Sequence, residues 1–168
     1  MPESSWGSPR SKTVSWYDPA IGASAMATMD GLSYLQAMVD GGLPPPPISG
    51  LMSFDARHVE AGTVVFGCSP DESAYNPIGL VHGGVVCTLL DSVLGCAVHS
   101  TLPQGTGYTS LEIKVSYLRA VRLGEGELTA TGRVTKPGRR AAFAEGEVRD
   151  QQDRLVATAS STCLVFPL

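Results

Sequence analysis

Asp91 is the only formally charged residue in the long and mostly apolar segment 82–99. Burying a carboxylate costs free energy unless the group is paired or takes part in chemistry, and fully buried aspartates are otherwise rare. A carboxylate in an apolar site is also a stronger base near neutral pH. We therefore predict that Asp91 is the base or the nucleophile of a reaction site. The alternative is a structural Asp91 that accepts hydrogen bonds from nearby backbone or from Ser92.

Two glycines, Gly83 and Gly84, follow His82 at the start of the same segment. If the segment is a helix, its first N–H groups have no intrahelical partner and carry the positive end of the helix dipole. Glycine lets a ligand approach such a backbone closely, and this arrangement stabilises an oxyanion that forms on a carbonyl. The alternative is that the glycines only allow a tight turn.

Three further polar residues could assist this chemistry. Asn76 could hold a water or orient the carboxylate, although Asn before Pro77 is also common in turns. His82 could act as a general base, but we favour a positioning role in which its ring ties down the loop by a hydrogen bond. Thr109, on the inward face of a predicted strand, could hydrogen-bond Asp91 or the attacking water.

A second polar group surrounds the turn Pro137-Gly138. Lys136, Arg139 and Arg140 could hold the phosphates of a nucleotide-bearing ligand, and the alternative is a solvated hairpin tip. No metal site is expected, because the candidate ligands in the segment 82–99 spread along about 25 Å of helix, whereas metal ligands converge on one ion.

Length and charge limit the function classes. A chain of 168 residues suits one domain with its own core, and a net charge of −4 gives no basic face for nucleic acid. No segment reaches the roughly 20 apolar residues of a membrane span, and the N-terminus lacks a signal-peptide pattern. We therefore expect a cytosolic protein with no membrane partner. Its four cysteines are expected to be reduced, buried thiols: Cys68, Cys87, Cys96 and Cys163.

Periodicity predicts the elements that position these residues. Residues 1–25 show no sustained period and are predicted to form a flexible tail, and residues 26–168 a single domain. Apolar residues at helical spacing predict a helix over 28–40, capped by Thr28 or Asp30, and a buried helix over 83–100. Pro44 to Pro47 predict a stiff extended connector. Strands are predicted at 51–58, 62–69, 109–117, 126–135, 141–149 and 155–166.

The order of these elements predicts the fold class. Hairpin-linked strands imply an antiparallel sheet, and the buried helix must lie against one of its faces. The predicted fold is α+β, with an antiparallel β-sheet wrapped around one long central helix and an extra N-terminal helix. On the strand 109–117, alternation places five residues on the inward face: Thr109, Leu111, Ile113, Val115 and Tyr117.

The spacing of the candidate site residues predicts an oligomer. Gly83 and Asp91 lie roughly 12 Å apart along a helix that rises 1.5 Å per residue, so one carbonyl cannot contact both groups of one chain. A two-fold dimer with antiparallel neighbouring helices brings Asp91 of one chain near Gly83 of the other. We therefore predict a homodimer with shared active sites.

The motif Asn76-x-x-Gly79-x-x-His82-Gly83-Gly84, followed by Asp91, resembles the signature of hotdog-fold acyl-CoA thioesterases. It is most similar to the phenylacetate-degradation, or PaaI-like, thioesterase family. The similarity covers about residues 30–166, including the segment 42–48, the strand 108–118 and the turn 138–140.

The resemblance implies a hotdog fold, a dimer that often pairs into a homotetramer, and hydrolysis of the thioester between coenzyme A and an acyl group. No separate cofactor is implied, because coenzyme A is part of the substrate. By motif position, Asp91 is the nucleophile or base, the Gly83 N–H polarises the carbonyl, and Asn76 and His82 orient water, carbonyl or loop. Thr109 matches a position that assists the water. Residues implied to contact coenzyme A are Gly84, Lys136, Gly138, Arg139 and Arg140.

Two rival functions stay open. A hotdog dehydratase or hydratase acting on acyl thioesters needs a histidine paired with an acid in one pocket, and its His-Phe-Pro-Gly stretch is absent here. A non-catalytic acyl-CoA-binding protein would bind the thioester without turnover. Release of free thiol distinguishes hydrolysis from both.

Overall fold

The computed structural model describes residues 6–122 and 124–168. Four α-helices and six β-strands follow one another in the chain, with a short 3-10 helix at Glu72–Ala74. The helices are α1 (Pro19–Thr28), α2 (Gly31–Val39), α3 (Pro47–Met52) and α4 (Gly83–His99). The strands are β1 (Phe54–Glu60), β2 (Thr63–Cys68), β3 (Thr106–Tyr117), β4 (Leu128–Lys136), β5 (Ala141–Arg149) and β6 (Leu155–Pro167).

The N-terminal part is more helical than its sequence pattern suggested. Residues 19–25, which were predicted to belong to a flexible tail, form most of α1, where Asp18 caps the first turn and proline occupies the first position. These local signals start a helix without an apolar stripe. The helix predicted over 28–40 is α2, and its cap is Asp30, which accepts a hydrogen bond from Ser33 N–H.

The segment around the four prolines also differs in part from the prediction. Helix α3 begins at Pro47, so the extended connector ends one residue earlier, and residues 51 and 52 belong to this helix rather than to the first strand. A proline at the first helical position loses no intrahelical hydrogen bond. The first two predicted strands, 51–58 and 62–69, correspond to β1 and β2, which pair antiparallel as a hairpin.

All six strands form one antiparallel sheet in the order β1-β2-β4-β5-β6-β3. Helix α4 packs across one face of this sheet and contacts β2, β3, β4, β5 and β6. This confirms the predicted fold class, a sheet around one long helix with extra N-terminal helices. The completely buried side chains of α4 are those of Leu89, Leu90, Val93, Leu94, Ala97 and Val98.

Small residues let the helix lie close to the sheet. Gly132 on β4 pairs with Gly146 on β5, and a Cβ on Gly132 would lie 2.6 Å from the carbonyl oxygen of Val93. No real Cβ packs so closely against backbone. The glycine pair therefore sets the depth at which α4, and every side chain on it, sits in the sheet.

Strand β3 is irregular at its middle. Its pairing register with β6 shifts between Ser110 and Glu112, which leaves Leu111 as the extra residue of a β-bulge. A bulge reverses the inward and outward alternation along a strand. Thr109 and Leu111 are exposed, and Leu111 keeps 61% of its surface in solvent. The predicted inward face is therefore wrong for the first half of β3, while Ile113 and Val115 pack against the core as predicted.

The other face of the sheet is polar. Its exposed residues include Glu112, Lys114, Arg133 and Glu145, and Arg133 pairs directly across the strands with Glu145. No helix in residues 6–122 and 124–168 has the length and hydropathy needed to cross a bilayer.

Candidate active site

The start of α4 is capped by His82, and this cap leaves the backbone N–H of Gly83 available. His82 caps the helix: its ring Nδ1 accepts a hydrogen bond of 2.9 Å from Gly84 N–H, and its carbonyl accepts one of 2.9 Å from Val85 N–H. Gly83 N–H donates to no atom of the described residues. The site therefore presents the N–H of Gly83, where the dipole of α4 is positive.

This geometry bears on the predictions for His82 and Gly84. The ring of His82 ties down the loop by a hydrogen bond, which is the positioning role favoured from the sequence. Gly84 cannot offer its N–H to a ligand as expected, because His82 already occupies it. A Cβ on Gly84 would lie 2.9 Å from the same ring nitrogen, so glycine is needed here for close contact with His82 rather than with coenzyme A.

The loop before α4 is organised by Asn76. Its Oδ1 accepts hydrogen bonds of 3.1 Å from the N–H groups of Ile78 and Leu80, and Gly79 adopts a positive φ of 77° in the turn between them. The side-chain amide oxygen of Asn76 is thus used for the turn, which is the alternative considered from the sequence. Its side chain still lines the groove beside Gly83.

That groove, which we call the Gly83 groove, has a volume of about 320 Å³. Besides Asn76 and Gly83, its wall consists mainly of apolar side chains and the chain segment after β3. The residues are Leu80, Val81, Val86, Tyr117, Leu118, Arg119, Ala120, Val121 and Val156. An apolar wall around one N–H donor suits an acyl carbonyl and the carbon chain attached to it.

Asp91 lies in a second groove of about 320 Å³, between α4 and β3, which we call the Asp91 groove. Ser110 donates a hydrogen bond of 2.7 Å from its hydroxyl to Asp91 Oδ1. The other wall residues are Cys87 and Thr88, one turn earlier on α4, and the bulged segment 111–113. Asp91 is half-buried in the single chain, so it is open to solvent or to a second chain.

The hydroxyl that contacts Asp91 belongs to Ser110, one residue after the predicted Thr109. Thr109 is exposed and lines neither groove. The reason is the bulge at Leu111, because the extra residue shifts the alternation of β3 so that Ser110, rather than Thr109, faces Asp91 on α4. Apolar alternation could not reveal this, since Leu111 fits the inward pattern and its exposure appears only once the register is known.

Tyr117 is a site residue that the sequence pattern placed only in the core. Its hydroxyl donates a hydrogen bond of 3.0 Å to the carbonyl oxygen of Gly83, and a Cβ on Gly83 would lie 3.2 Å from Cζ of the tyrosine ring. Burial and then the neighbouring Cys87 thiol raise the pKa of Tyr117. The hydroxyl therefore remains a donor at neutral pH.

The basic turn does not form one cluster. Lys136 lies 6.0 Å from the ring centroid of Phe143 and lines a groove on the polar face of the sheet. Gly138 and Arg139 line a different groove of about 540 Å³ near the end of α4, with Pro103 and Phe166. Arg140 is exposed, and its carbonyl accepts a hydrogen bond from Val165 N–H. The charged side chains of Lys136 and Arg139 therefore lie at different grooves.

The remaining histidine of α4 is buried, whereas its two thiols, Cys87 and Cys96, keep some solvent contact in the single chain. Of the four cysteines expected to be buried, Cys68 and Cys163 are. His99 lies between the rings of Tyr34 and Tyr108, at centroid distances of 5.2 and 5.4 Å, and burial lowers its pKa to about 4. Burial raises the pKa of the Cys96 thiol to about 12. Both groups are thus neutral at pH 7. Among the described residues, no three His, Cys, Asp or Glu side chains converge as metal ligands do.

Comparison with known proteins places this arrangement in a family. Residues 78–157, which contain the helix start, Asp91 and Ser110, match the model of the thioesterase superfamily. A phenylacetic acid degradation-related protein from Ralstonia eutropha is 32% identical, with a TM-score of 0.71 over 78% of this chain and 98% of that chain. A Streptococcus mutans protein, solved with acetyl-CoA bound, is 30% identical, with a TM-score of 0.62 over 68% of this chain and 89% of that chain.

A curated relative with a named activity is more distant. Acyl-coenzyme A thioesterase 13 of Mus musculus is 29% identical over 93 residues, which are 55% of this chain and 65% of the relative. The chain spans less than two thirds of the length of the first two curated relatives it matches, at 53% and 65%. The solved structures, in contrast, are covered almost completely and share the sheet and the long helix. The chain belongs to the thioesterase superfamily of hotdog-fold proteins.

Proposed function

We propose that this protein hydrolyses acyl-CoA thioesters in a site shared by two subunits. The observation that carries the proposal is the pair of grooves on one helix. One contains the Gly83 N–H, which donates to no described residue, and the other contains the carboxylate of Asp91 two turns later. An N–H donor stabilises the oxyanion of acyl transfer, and a carboxylate activates water. The acetyl-CoA bound by the related Streptococcus mutans protein supports the substrate class.

The exposed side of α4 supports the shared site. The residues of α4 that keep solvent contact in the single chain recur at helical spacing: Gly83, Gly84, Cys87, Thr88, Asp91, Ser92 and Cys96. Strand β3 beside them is an edge of the sheet. A second copy related by a two-fold axis would cover this stripe and bring its Gly83 groove to the Asp91 groove of the first. A tetramer of two such dimers is a further prediction from the family resemblance.

In the proposed reaction, the Gly83 N–H of one subunit binds the thioester carbonyl oxygen. Asp91 of the other subunit takes a proton from a water molecule while the water oxygen attacks the carbonyl carbon. The negative charge that develops on the carbonyl oxygen is stabilised at the start of α4. When the tetrahedral intermediate collapses, the C–S bond breaks, and the coenzyme A sulfur leaves and takes the proton that Asp91 removed from water, which regenerates the carboxylate. The Ser110 hydroxyl holds the Asp91 carboxylate for this step.

A nucleophilic Asp91 is the alternative route within the same function. Its oxygen would attack the carbonyl and form an acyl-aspartate anhydride, which water then hydrolyses. Hydrolysis in water labelled with ¹⁸O separates the routes under single-turnover conditions. A nucleophilic Asp91 places the label in the protein carboxylate if water attacks the aspartyl carbonyl of the anhydride, whereas a base places the label only in the acid product. If water attacks the acyl carbonyl instead, the acyl-aspartate itself, detected as an added acyl mass on the protein, identifies the nucleophile.

The groove beside Arg139 suits the nucleotide end of coenzyme A. It combines one guanidinium with apolar walls that include Pro137 and Phe166, and arginine binds phosphate through paired hydrogen bonds. We propose Arg139 as the main phosphate contact of the turn, with Lys136 and Arg140 contributing charge at longer range. Substitution of Arg139 should then raise KM for acyl-CoA and leave kcat nearly unchanged.

The proposal is tested by Asp91→Asn, which keeps the shape of the side chain and removes its basicity. We expect kcat for acyl-CoA hydrolysis, followed by free-thiol release over a panel of acyl groups, to fall by about 10²–10⁴-fold. The matched control is Asp40→Asn at the end of α2, an exposed aspartate outside both grooves. Full hydrolysis by Asp91→Asn would refute the assignment. If the wild-type protein removed water from an acyl-CoA without releasing free thiol, it would be a dehydratase. If it bound acyl-CoA without turnover, it would be a binding protein.

A further inference from the structure

Two hydrogen bonds hold the peptide group between Gly83 and Gly84 at its opposite ends. Tyr117 donates its hydroxyl to the carbonyl oxygen of this peptide at 3.0 Å. The N–H of the same peptide, which belongs to Gly84, donates to His82 Nδ1 at 2.9 Å. The result is a continuous chain of hydrogen bonds from the hydroxyl through one peptide group to the imidazole.

This peptide group lies directly beside the N–H donor of the proposed site. The N–H and the carbonyl of Gly83 belong to one residue. Once the carbonyl is held, the direction of the N–H depends only on the torsion angles of Gly83. Two successive glycines have more torsional freedom than any other pair of residues. The direction of an unrestrained Gly83 N–H would therefore vary, whereas catalysis needs a donor held in its productive orientation.

We infer that Tyr117 is a positioning residue, which acts together with His82 through the peptide group 83–84 to fix the direction of the Gly83 N–H. This inference rests on the proposed function and adds to it a residue on a different element. The ring of Tyr117 strengthens the restraint, because it covers the Cα of Gly83 on the side where a Cβ would lie 3.2 Å away.

A chain of hydrogen bonds through one peptide group predicts that its two hydrogen bonds depend on each other. Each hydrogen bond polarises the peptide and strengthens the other, so removing either should weaken both. The effects of Tyr117 and His82 on turnover should therefore not be independent. A tyrosine that only fills space beside the helix would lose little when its hydroxyl is removed.

The experiment is a double-mutant cycle with Tyr117→Phe and His82→Ala, measured as kcat and KM for acyl-CoA hydrolysis. We expect each single variant to lower kcat about fivefold to tenfold with little change in KM, since a neutral hydrogen bond of ordinary strength is lost. The double variant should lose clearly less than the product of the two single losses. His82→Asn, which keeps a capping acceptor for Gly84 N–H, should restore most of the activity lost in His82→Ala.

Tyr17→Phe is the matched control, because this exposed tyrosine precedes α1 and lines neither groove. Independent losses, whose product equals the loss of the double variant, would overturn the coupling. A change confined to KM, or no change in kcat for Tyr117→Phe, would overturn the positioning role.

A second readout does not depend on activity. NMR would detect the amide proton of Gly84, and Tyr117→Phe should shift its resonance because the carbonyl of the same peptide loses its donor. An unshifted Gly84 resonance would overturn the proposed link even if kcat fell. If the wild-type protein hydrolysed no acyl-CoA, the proposed function would fail and with it the catalytic role of Tyr117, while the Gly84 shift would still decide whether the hydrogen-bonded chain exists.

Discussion

Asp91 and Ser110 interact across two elements, because the carboxylate lies on α4 and the hydroxyl on the bulged part of β3. A half-buried carboxylate can adopt several rotamers, and the 2.7 Å hydrogen bond favours one of them. The neighbouring Thr88 hydroxyl is occupied elsewhere, since it donates to the carbonyl oxygen of Gly84. Ser110 is thus the hydroxyl that orients the proposed base.

Removing this hydroxyl should slow turnover without unfolding the protein. We expect Ser110→Ala to lower kcat about tenfold, because a hydrogen bond to a charged group contributes about 1.5–3 kcal/mol and part of that is screened at a half-exposed carboxylate. Thr109→Ala is the control, a β-branched hydroxyl residue one position earlier on the opposite side of the strand. The structure would be contradicted if Thr109→Ala impaired kcat more than Ser110→Ala.

Among the helices and strands, those with a repeated apolar pattern were predicted from the sequence, and those that depend on a local signal were missed. The periods of α2, α4 and the last three strands are long enough to identify each element. Helices α1 and α3 lack an apolar stripe, and proline at their first position was the signal that could have located them. The bulge at Leu111 has no such signal, because it arises from the pairing of β3 with β6. The same holds for the site residues. Gly83 and Asp91 were identified from the sequence, whereas the roles of Ser110 and Tyr117 became apparent only from the structure of β3.

The contact between α2, α4 and β3 is made by three rings. His99 at the end of α4 packs between Tyr34 of α2 and Tyr108 of β3, and only 2% of its surface is exposed. Burial lowers the pKa of His99 from 6.5 to about 4, and Asp30 at the start of α2 partly opposes this shift. The stack therefore accommodates a neutral imidazole and disfavours a charged one.

This predicts a loss of stability in mild acid. The unfolded chain takes up a proton at His99 near pH 6.5, and the folded chain does so only near pH 4. Between these values the unfolded state binds more protons, so the free energy of unfolding should fall as the pH is lowered, by about 3 kcal/mol in total. Below pH 4 both states are protonated at this residue and its contribution stops changing.

The comparison of wild-type protein with His99→Phe isolates this residue, because the variant keeps an aromatic ring that cannot titrate. Urea unfolding at pH 7 and pH 4.5, at one protein concentration, should show a smaller acid-induced loss in the variant. Other titrating groups contribute equally to both proteins and cancel in the comparison. Equal losses in the two proteins would contradict the assigned role of His99.

At the scale of the whole molecule, the two edges of the sheet differ in their suitability for a second copy. Strand β1 has seven residues, carries Asp55, Arg57 and Glu60, and is interrupted by a register shift at its middle. Charges and irregularity protect such an edge from pairing. Strand β3 has twelve residues and exposes Leu111 and Tyr117 beside the uncovered side of α4. The β3 edge is thus the one that fits an isologous partner.

A site shared across this edge can be tested with two inactive chains. Asp91→Asn removes the proposed base, and Gly83→Pro removes the N–H donor. Proline is favoured at the first position of a helix, and the extended backbone of His82, with ψ of 133°, is the conformation that a residue before proline adopts. The ring of Tyr117 must move by a few tenths of an ångström to make room, since a Cβ would lie 3.2 Å from it.

Each variant alone should be inactive as a homodimer, because every site then lacks one component. In a dimer of one Asp91→Asn chain and one Gly83→Pro chain, one site lacks both components and the other lacks neither. Random mixing makes about half of the dimers heterodimers, each with one intact site of two, so co-expression should restore about a quarter of the wild-type kcat. Heterodimers purified through two different tags should reach about half. If such purified heterodimers were as inactive as the parents, the N–H donor and the carboxylate would not act across the subunit interface.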